Sequence, residues 1–184
     1  MGMLWTTSVP YRVIVRWNDL FGDLEGQFAS AQSAEFEAEV AELAIAERAS
    51  VELAARIRAV GSDPVVVHLE GGSALRGTIA DVTPAWILLH EGKRDHLVPL
   101  AAIVGITGVT DRSLPWGEVE RRLSLGHALR ILSSAGARVV AETKGGDFQG
   151  SISAVGADHC DIQLESGTGC VAVPFSALRR VTSA

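Results

Sequence analysis

The chain has 184 residues, 47% hydrophobic and 21% charged, a composition that supports one ordinary domain or two small ones and excludes wholesale disorder. Its 16 basic and 22 acidic residues leave a formal charge of −6, the opposite sign to a protein whose main task is gripping phosphate backbone. No apolar run approaches the roughly 20 residues that span a bilayer, and Cys160 and Cys170 alone make neither a disulfide framework nor a four-ligand zinc site. The expectation is a soluble, cytoplasmic protein with no membrane partner and no cofactor.

At the N-terminus, MGMLWTTSVPYRVIVRW lacks the apolar core and small-residue cleavage site of a secretory signal. Residues 1–16 read as an extension ahead of a helical arm, residues 17–61. The arm carries nine acidic and three basic residues and no proline. A short helical piece from Asn18 to Phe28 is marked by Leu20, Phe21, Leu24 and Phe28 and weakened by Gly22 and Gly26. Beyond it, Phe36, Val40, Leu43, Ala46, Ser50, Ala54 and Ile57 recur at three- and four-residue steps. Ser33 caps this stripe, Glu35, Glu37 and Glu39 suit its first turns, Arg56 and Arg58 its last, and Gly61 stops it. The spacing predicts one helix from Ala34 to Val60, roughly 40 Å long, with Glu35, Glu37, Glu39 and Glu42 on its solvated side. A stripe that long either lies across all that follows or pairs with another helix. Ser50 and the alanines interrupt a heptad seam, which disfavours a long parallel coiled coil. Self-association through Phe36, Val40, Leu43, Ala54 and Ile57, giving a homodimer, is the expectation.

Residues 62–110 spell five short strands. Val65 to Leu69 is β-branched, and Gly71-Gly72 supplies a hairpin turn. Leu75 to Val82 alternates with period two. Trp86 to His90 and His96 to Pro99 flank a polar loop of hairpin length. One helical turn at Leu100 to Ile103 precedes a last strand, Val104 to Thr107. The connector, residues 111–136, suggests one or two helices through Trp116, Val119, Leu123, Leu125, Leu129 and Leu132, with Ser124 as a cap and Gly136 as a stop. Residues 137–184 repeat the five strands: Val139 to Glu142, Phe148 to Val155, Cys160 to Glu165, Cys170 to Pro174, a turn at Phe175 to Leu178, then Arg179 to Thr182. Leu75 to Ile79 lies over Phe148 to Ile152 at an offset of 73, and Pro99 and Ile103 lie over Pro174 and Leu178 at an offset of 75. Shared glycine, proline and turn positions in one order point to duplication. Gly77 and Gly150 fall mid-strand, where glycine permits the sharp bend of a small closed barrel.

Five strands in about 45 residues, a bend glycine in strand two and a helical turn before strand five resemble an SH3-like barrel, with the Sm-like branch nearest in pattern. The resemblance covers both copies, about half the chain. It implies an α+β protein: a long N-terminal helix and two tandem closed five-stranded barrels joined by a helical connector. In that family an Asp and an Asn near strands two and three, and an Arg-Gly pair in a second motif, hold uridine-rich RNA. Here Ile87 stands near the Asn position, Leu97-Val98-Pro99-Leu100 replaces the second motif, and the second copy offers Asp161 and Val173-Pro174-Phe175. The fold carries over and the RNA pocket does not. As a whole the chain also resembles a group of uncharacterised actinobacterial proteins, sometimes labelled Fis-type transcriptional regulators, through the tract Arg16 to Glu25, the run Gly156 to His159 and Val173-Pro174-Phe175. That resemblance implies a start near Val15, with Met1 to Tyr11 an extension or a misplaced start.

Candidate chemistry is sparse. His90 and His96 flank the hairpin loop in positions to face each other across it, and with Asp95 they are ligand types for a metal. Adjacent Asp95 and His96 point to opposite strand faces, however, so solvated loop histidines are the expectation. Neighbouring His159 and Cys160 are likewise poorly placed for a thiolate–imidazole pair. Cys160 and Cys170, on paired strands, read as reduced core thiols. Trp17 and Trp116 read as packing anchors, and Trp86 as core or as part of a binding face. No GxSxG, HExxH, CxxC or phosphate-loop spacing occurs. A DNA-reading helix at Leu125 to Ser134 would offer only His127, Arg130 and serines. The leading expectation is a non-enzymatic protein-interaction or scaffold module that binds itself and another protein. The alternative is a regulatory protein binding RNA or DNA through Arg112, Arg121, Arg122, Arg130, Arg138, Arg179 and Arg180.

Overall fold

A computed structural model describes residues 36, 39–43, 45–46, 49–167 and 169–183. The chain divides into a unit ending at Ser50 and a unit from Val51 to Ala184. In the first unit, the backbone is helical at residues 36, 39–43, 45–46 and 49, with Phe36, Val40, Leu43 and Ile45 exposed. The expected helix at residues 18–28, the extension at 1–16 and Trp17 lie outside the described residues.

The second unit opens with a six-residue helix, α1 (Leu53–Arg58). Five strands follow: β1 (Pro64–Leu69), β2 (Ala74–Val82), β3 (Trp86–Glu91), β4 (Arg94–Pro99) and β5 (Ile103–Thr107). Two helices, α2 (Glu118–Arg121) and α3 (Leu125–Ser134), lead to β6 (Arg138–Thr143), β7 (Gly146–Val155), β8 (His159–Leu164), β9 (Cys170–Pro174) and β10 (Leu178–Ser183). Short 3-10 turns at Leu100–Ala102 and Phe175–Ala177 precede β5 and β10, each begun by a proline that fixes φ at the turn's entry. Ser124 caps α3, its side chain accepting a hydrogen bond from the His127 amide.

All ten strands form one antiparallel sheet in the order β5-β1-β2-β3-β4-β10-β6-β7-β8-β9. The first five positions and the last five follow the same internal sequence of strands. Register repeats as well: Leu89 opposes Ile79 and Ile162 opposes Ile152, with an irregularity just beyond each pair. Val67 opposes Leu75, whereas Ala141 opposes Phe148, so β6 lies 74 residues after β1 and the second hairpin is one residue tighter.

The expectation of two closed SH3-like, Sm-like barrels is overturned by this sheet. Closure requires each fourth strand to turn back upon its own fifth. Instead β4 pairs with β10, Leu97 opposite Val181 and His96 opposite Thr182, and the sheet runs on from one half into the other. The long N-terminal helix is corrected too. Residues 51 and 52 are not helical, and Glu52 has an extended backbone (φ −74°, ψ 144°), so α1 is a separate short helix. Two attachments set that break: the Glu52 carboxylate accepts a hydrogen bond from Trp116 Nε1 at 3.2 Å, and the Glu52 carbonyl accepts from the Ala55 and Arg56 amides. Residues 51–61 thus belong with the sheet rather than with an arm spanning 17–61.

Two apolar cores hold this unit together. Ala54, Ile57 and Val60 pack with Val65, Val67, Leu69, Leu75, Val82, Ile87, Leu89 and Val98. The second core joins Leu125 and Leu129 of α3 to Val139, Ala141, Ile152, Cys160, Ile162, Val173, Leu178 and Val181, and it also takes Trp86 and Leu97. The β3–β4 hairpin therefore feeds both cores, Ile87, Leu89 and Val98 from one face and Trp86 and Leu97 from the other. A strand covered on both sides reads as a nearly continuous apolar run, as Trp86 to Leu89 and Leu97 to Pro99 do.

Candidate functional site

The joint between the two halves is where the unit's polar and apolar features meet. Beyond the β4–β10 pairing, it is tied by charge. Arg179 donates to the Glu70 carbonyl at 2.9 Å across the halves, and Lys144 Nζ lies 2.9 Å from Glu70 Oε2. Glu142, nearly buried, receives Arg179 at 3.3 Å and Arg180 at 2.5 Å. A carboxylate withdrawn from water is tolerable only with such partners.

His96 sits inside the same joint, 2% exposed, its Nδ1 2.9 Å from Thr182 Oγ1 and its Nε2 3.2 Å from Glu91 Oε2. Burial, then the nearby Arg180, push its pKa below the usual 6.5, against the opposing pull of Glu91. His90 lies on the other strand face, where its Nδ1 meets Asp95. The two histidines therefore share no ligand set, and among the described residues no group of three His, Cys, Asp or Glu side chains is placed to hold a metal.

On the α3 side of the joint lies a cleft of about 310 Å3. Trp86 and Leu88 of β3, Leu97 of β4 and Val181 of β10 form its floor, and Ala128, Ile131 and Leu132 of α3 its wall. Asp81, Asp95 and Ser183 supply its polar lining. The cleft exists because α3 presses Leu125 and Leu129 into the second core while Ile131 stays 57% exposed at the lip. Trp86 is fixed in the floor by its indole N–H, which donates to the Ser124 carbonyl at 3.2 Å.

The two ends of the sheet are the remaining feature. Among the described residues, β5 pairs only with β1 and β9 only with β8. Val104 of β5 is 66% exposed and Ala172 of β9 is exposed.

No family model matches the chain, and no curated protein matches it in sequence.

Of the residues expected to mediate self-association, Phe36, Val40 and Leu43 are exposed, whereas Ala54 and Ile57 are buried in the first core at 1% and 0% exposure. The expected arginine face is dispersed among carboxylates. Arg122 pairs with Glu118 at 2.7 Å, Arg138 with Glu165 at 3.1 Å, and Arg179 and Arg180 share Glu142. Arg112 and Arg121 are exposed. Arg58, outside that set, forks onto Glu120 with two 2.6 Å bonds and stacks 5.2 Å above the Trp116 ring, so Trp116 anchors α1 to the segment before α2.

The cysteines separate. Cys160 is buried opposite Val173, and burial, with Asp161 adding to it, raises its thiol to about 11. Cys170 is exposed opposite Gln163, and both thiols are free. Only Cys160 matches the expected core thiol. His159 is held by Asp158 at 2.8 Å, and that hydrogen bond raises its pKa.

The cleft was not anticipated from sequence. Its signal was present: apolar residues at both odd and even positions of β3 and β4 announce a second covered face, and Ile131 adds an apolar position outside the buried stripe of α3.

Proposed function

We propose that the chain is a non-enzymatic interaction module that assembles with further copies of itself, sheet edge to sheet edge. The β4–β10 joint carries the reading. At the offset of 75, β9 is the counterpart of β4 and β5 the counterpart of β10, so the two end strands are the two partners of a joint that already forms within the chain. A second copy placed with its β5 along β9 repeats that joint, with Ile106 opposite Ala172 and Thr107 opposite Val171. Unpaired edge backbone favours such addition, and a head-to-tail contact of this kind extends to rings or chains. Exposed Phe36, Val40 and Leu43 of the N-terminal unit offer a second apolar contact for assembly.

Sedimentation velocity of the full chain over a wide concentration range tests this. Mass above the monomer is expected to grow with concentration, and Ala172→Lys, which adds charge at an exposed edge position, is expected to weaken association by about tenfold. Replacing Phe36, Val40 and Leu43 together with serine measures the share of the other contact. A wild-type chain that stays monomeric throughout, or association untouched by Ala172→Lys, overturns the edge-to-edge reading.

A further inference from the structure

We propose that the cleft between α3 and the β3–β4–β10 floor binds a small organic cation: an apolar body of roughly ten non-hydrogen atoms carrying one ammonium group. At about 310 Å3 it stands at the small end of ligand-sized cavities. Seven of its ten lining residues are apolar: Trp86, Leu88, Leu97, Ala128, Ile131, Leu132 and Val181. They fit an aliphatic or aromatic body.

The polar lining selects the charge. Asp81 and Asp95 face the cleft, and neither lysine nor arginine lines it. Among the described residues Asp81 accepts from the amide of its neighbour Val82, at 2.8 Å, and Asp95 has His90 beside it. Among the described residues neither carboxylate meets an arginine or lysine, so each keeps acceptor capacity. Low-dielectric walls next to carboxylates concentrate negative potential in the opening. An ammonium group entering there donates charge-assisted hydrogen bonds to a lining carboxylate, and the charge of the second carboxylate adds to the attraction. A neutral body would crowd water from the carboxylates without replacing it, and an anion would be repelled. The cleft thereby discriminates by charge and the apolar walls supply affinity.

Calorimetric titration at neutral pH and low salt, with the full chain, separates these cases. Three probes of one shape serve: phenethylamine, 2-phenylethanol and 3-phenylpropionate. The amine is expected to bind at least about tenfold more tightly than the alcohol, with no saturable heat from the carboxylate. The doubly substituted Asp81→Asn/Asp95→Asn chain keeps side-chain acceptors and shape, and its expected result is loss of the amine preference with alcohol binding retained. Circular dichroism of the variant verifies its fold. Absence of saturable amine binding, equal affinity for amine and alcohol, or a preference that survives in a folded double variant overturns the proposal.

Discussion

Gly77 and Gly150 occupy equivalent positions in β2 and β7, and their role is close approach. A Cβ at Gly77 would stand 2.0 Å from the His90 carbonyl oxygen, and one at Gly150 would stand 1.9 Å from that of Gln163. Backbone cannot yield as a flexible side chain does, so Gly77→Ala and Gly150→Ala are each expected to cost about 1–3 kcal/mol or more, read from urea unfolding midpoints. His96 gives the joint a pH dependence. Its folded pKa is depressed, so below the ordinary 6.5 the unfolded chain takes up a proton that the folded chain resists. The stability it contributes is fully present above pH 6.5 and is lost as pH falls toward the lowered folded value. His159, whose pKa is raised, works with the opposite sign. Unfolding midpoints measured from pH 7.5 to 5 are expected to fall more steeply for the wild type than for His96→Gln. Parallel curves would remove His96 from the account.

Among the helices, α3 shows how one element serves two surfaces. Its ten residues put Leu129 at 0% exposure in the second core, while Ile131 is 57% exposed at the lip of the cleft. Leu129→Ala is expected to cost about 2–5 kcal/mol, whereas Ile131→Ala should change stability by only about 0.5 kcal/mol. Thermal and urea unfolding of the two variants check the contrast, and similar losses would mean that α3 is seated differently. The helix α1 is too short to persist by itself. It is held by Ala54 and Ile57 packing inward and by Arg58 on Glu120, which also depresses the Glu120 pKa. The strands β3 and β4 are buried on both faces because each half lays a core against them.

Across the molecule, the unit from Val51 onward contains two similar sets of five strands made into one sheet by a single strand pairing and a few charges. Much of its local structure was legible in the sequence. Hairpin turns, period-two strands, the 3-10 turns after Pro99 and Pro174, and the Ser124 cap all follow from neighbouring residues, because turn geometry and side-chain alternation are short-range properties. The burial of Trp86 and the opposite faces of adjacent Asp95 and His96 were legible for the same reason. The hairpin register was not: His96 lies opposite Leu89, so His90 and His96 do not face each other. The choice of strand partner was not legible either. Every edge offers the same backbone donors and acceptors, so β4 had no local mark favouring β10 over β5. The second core, gathering Leu97 with Val181, settled it. Nor could a 3.6-residue stripe reveal its interruption at Glu52, which depends on Trp116, 64 residues away. Strands, turns and their repetition were readable from neighbouring residues. Which edges join, where the N-terminal helical stripe breaks and where a cleft opens depend on surfaces that distant segments create when they pack.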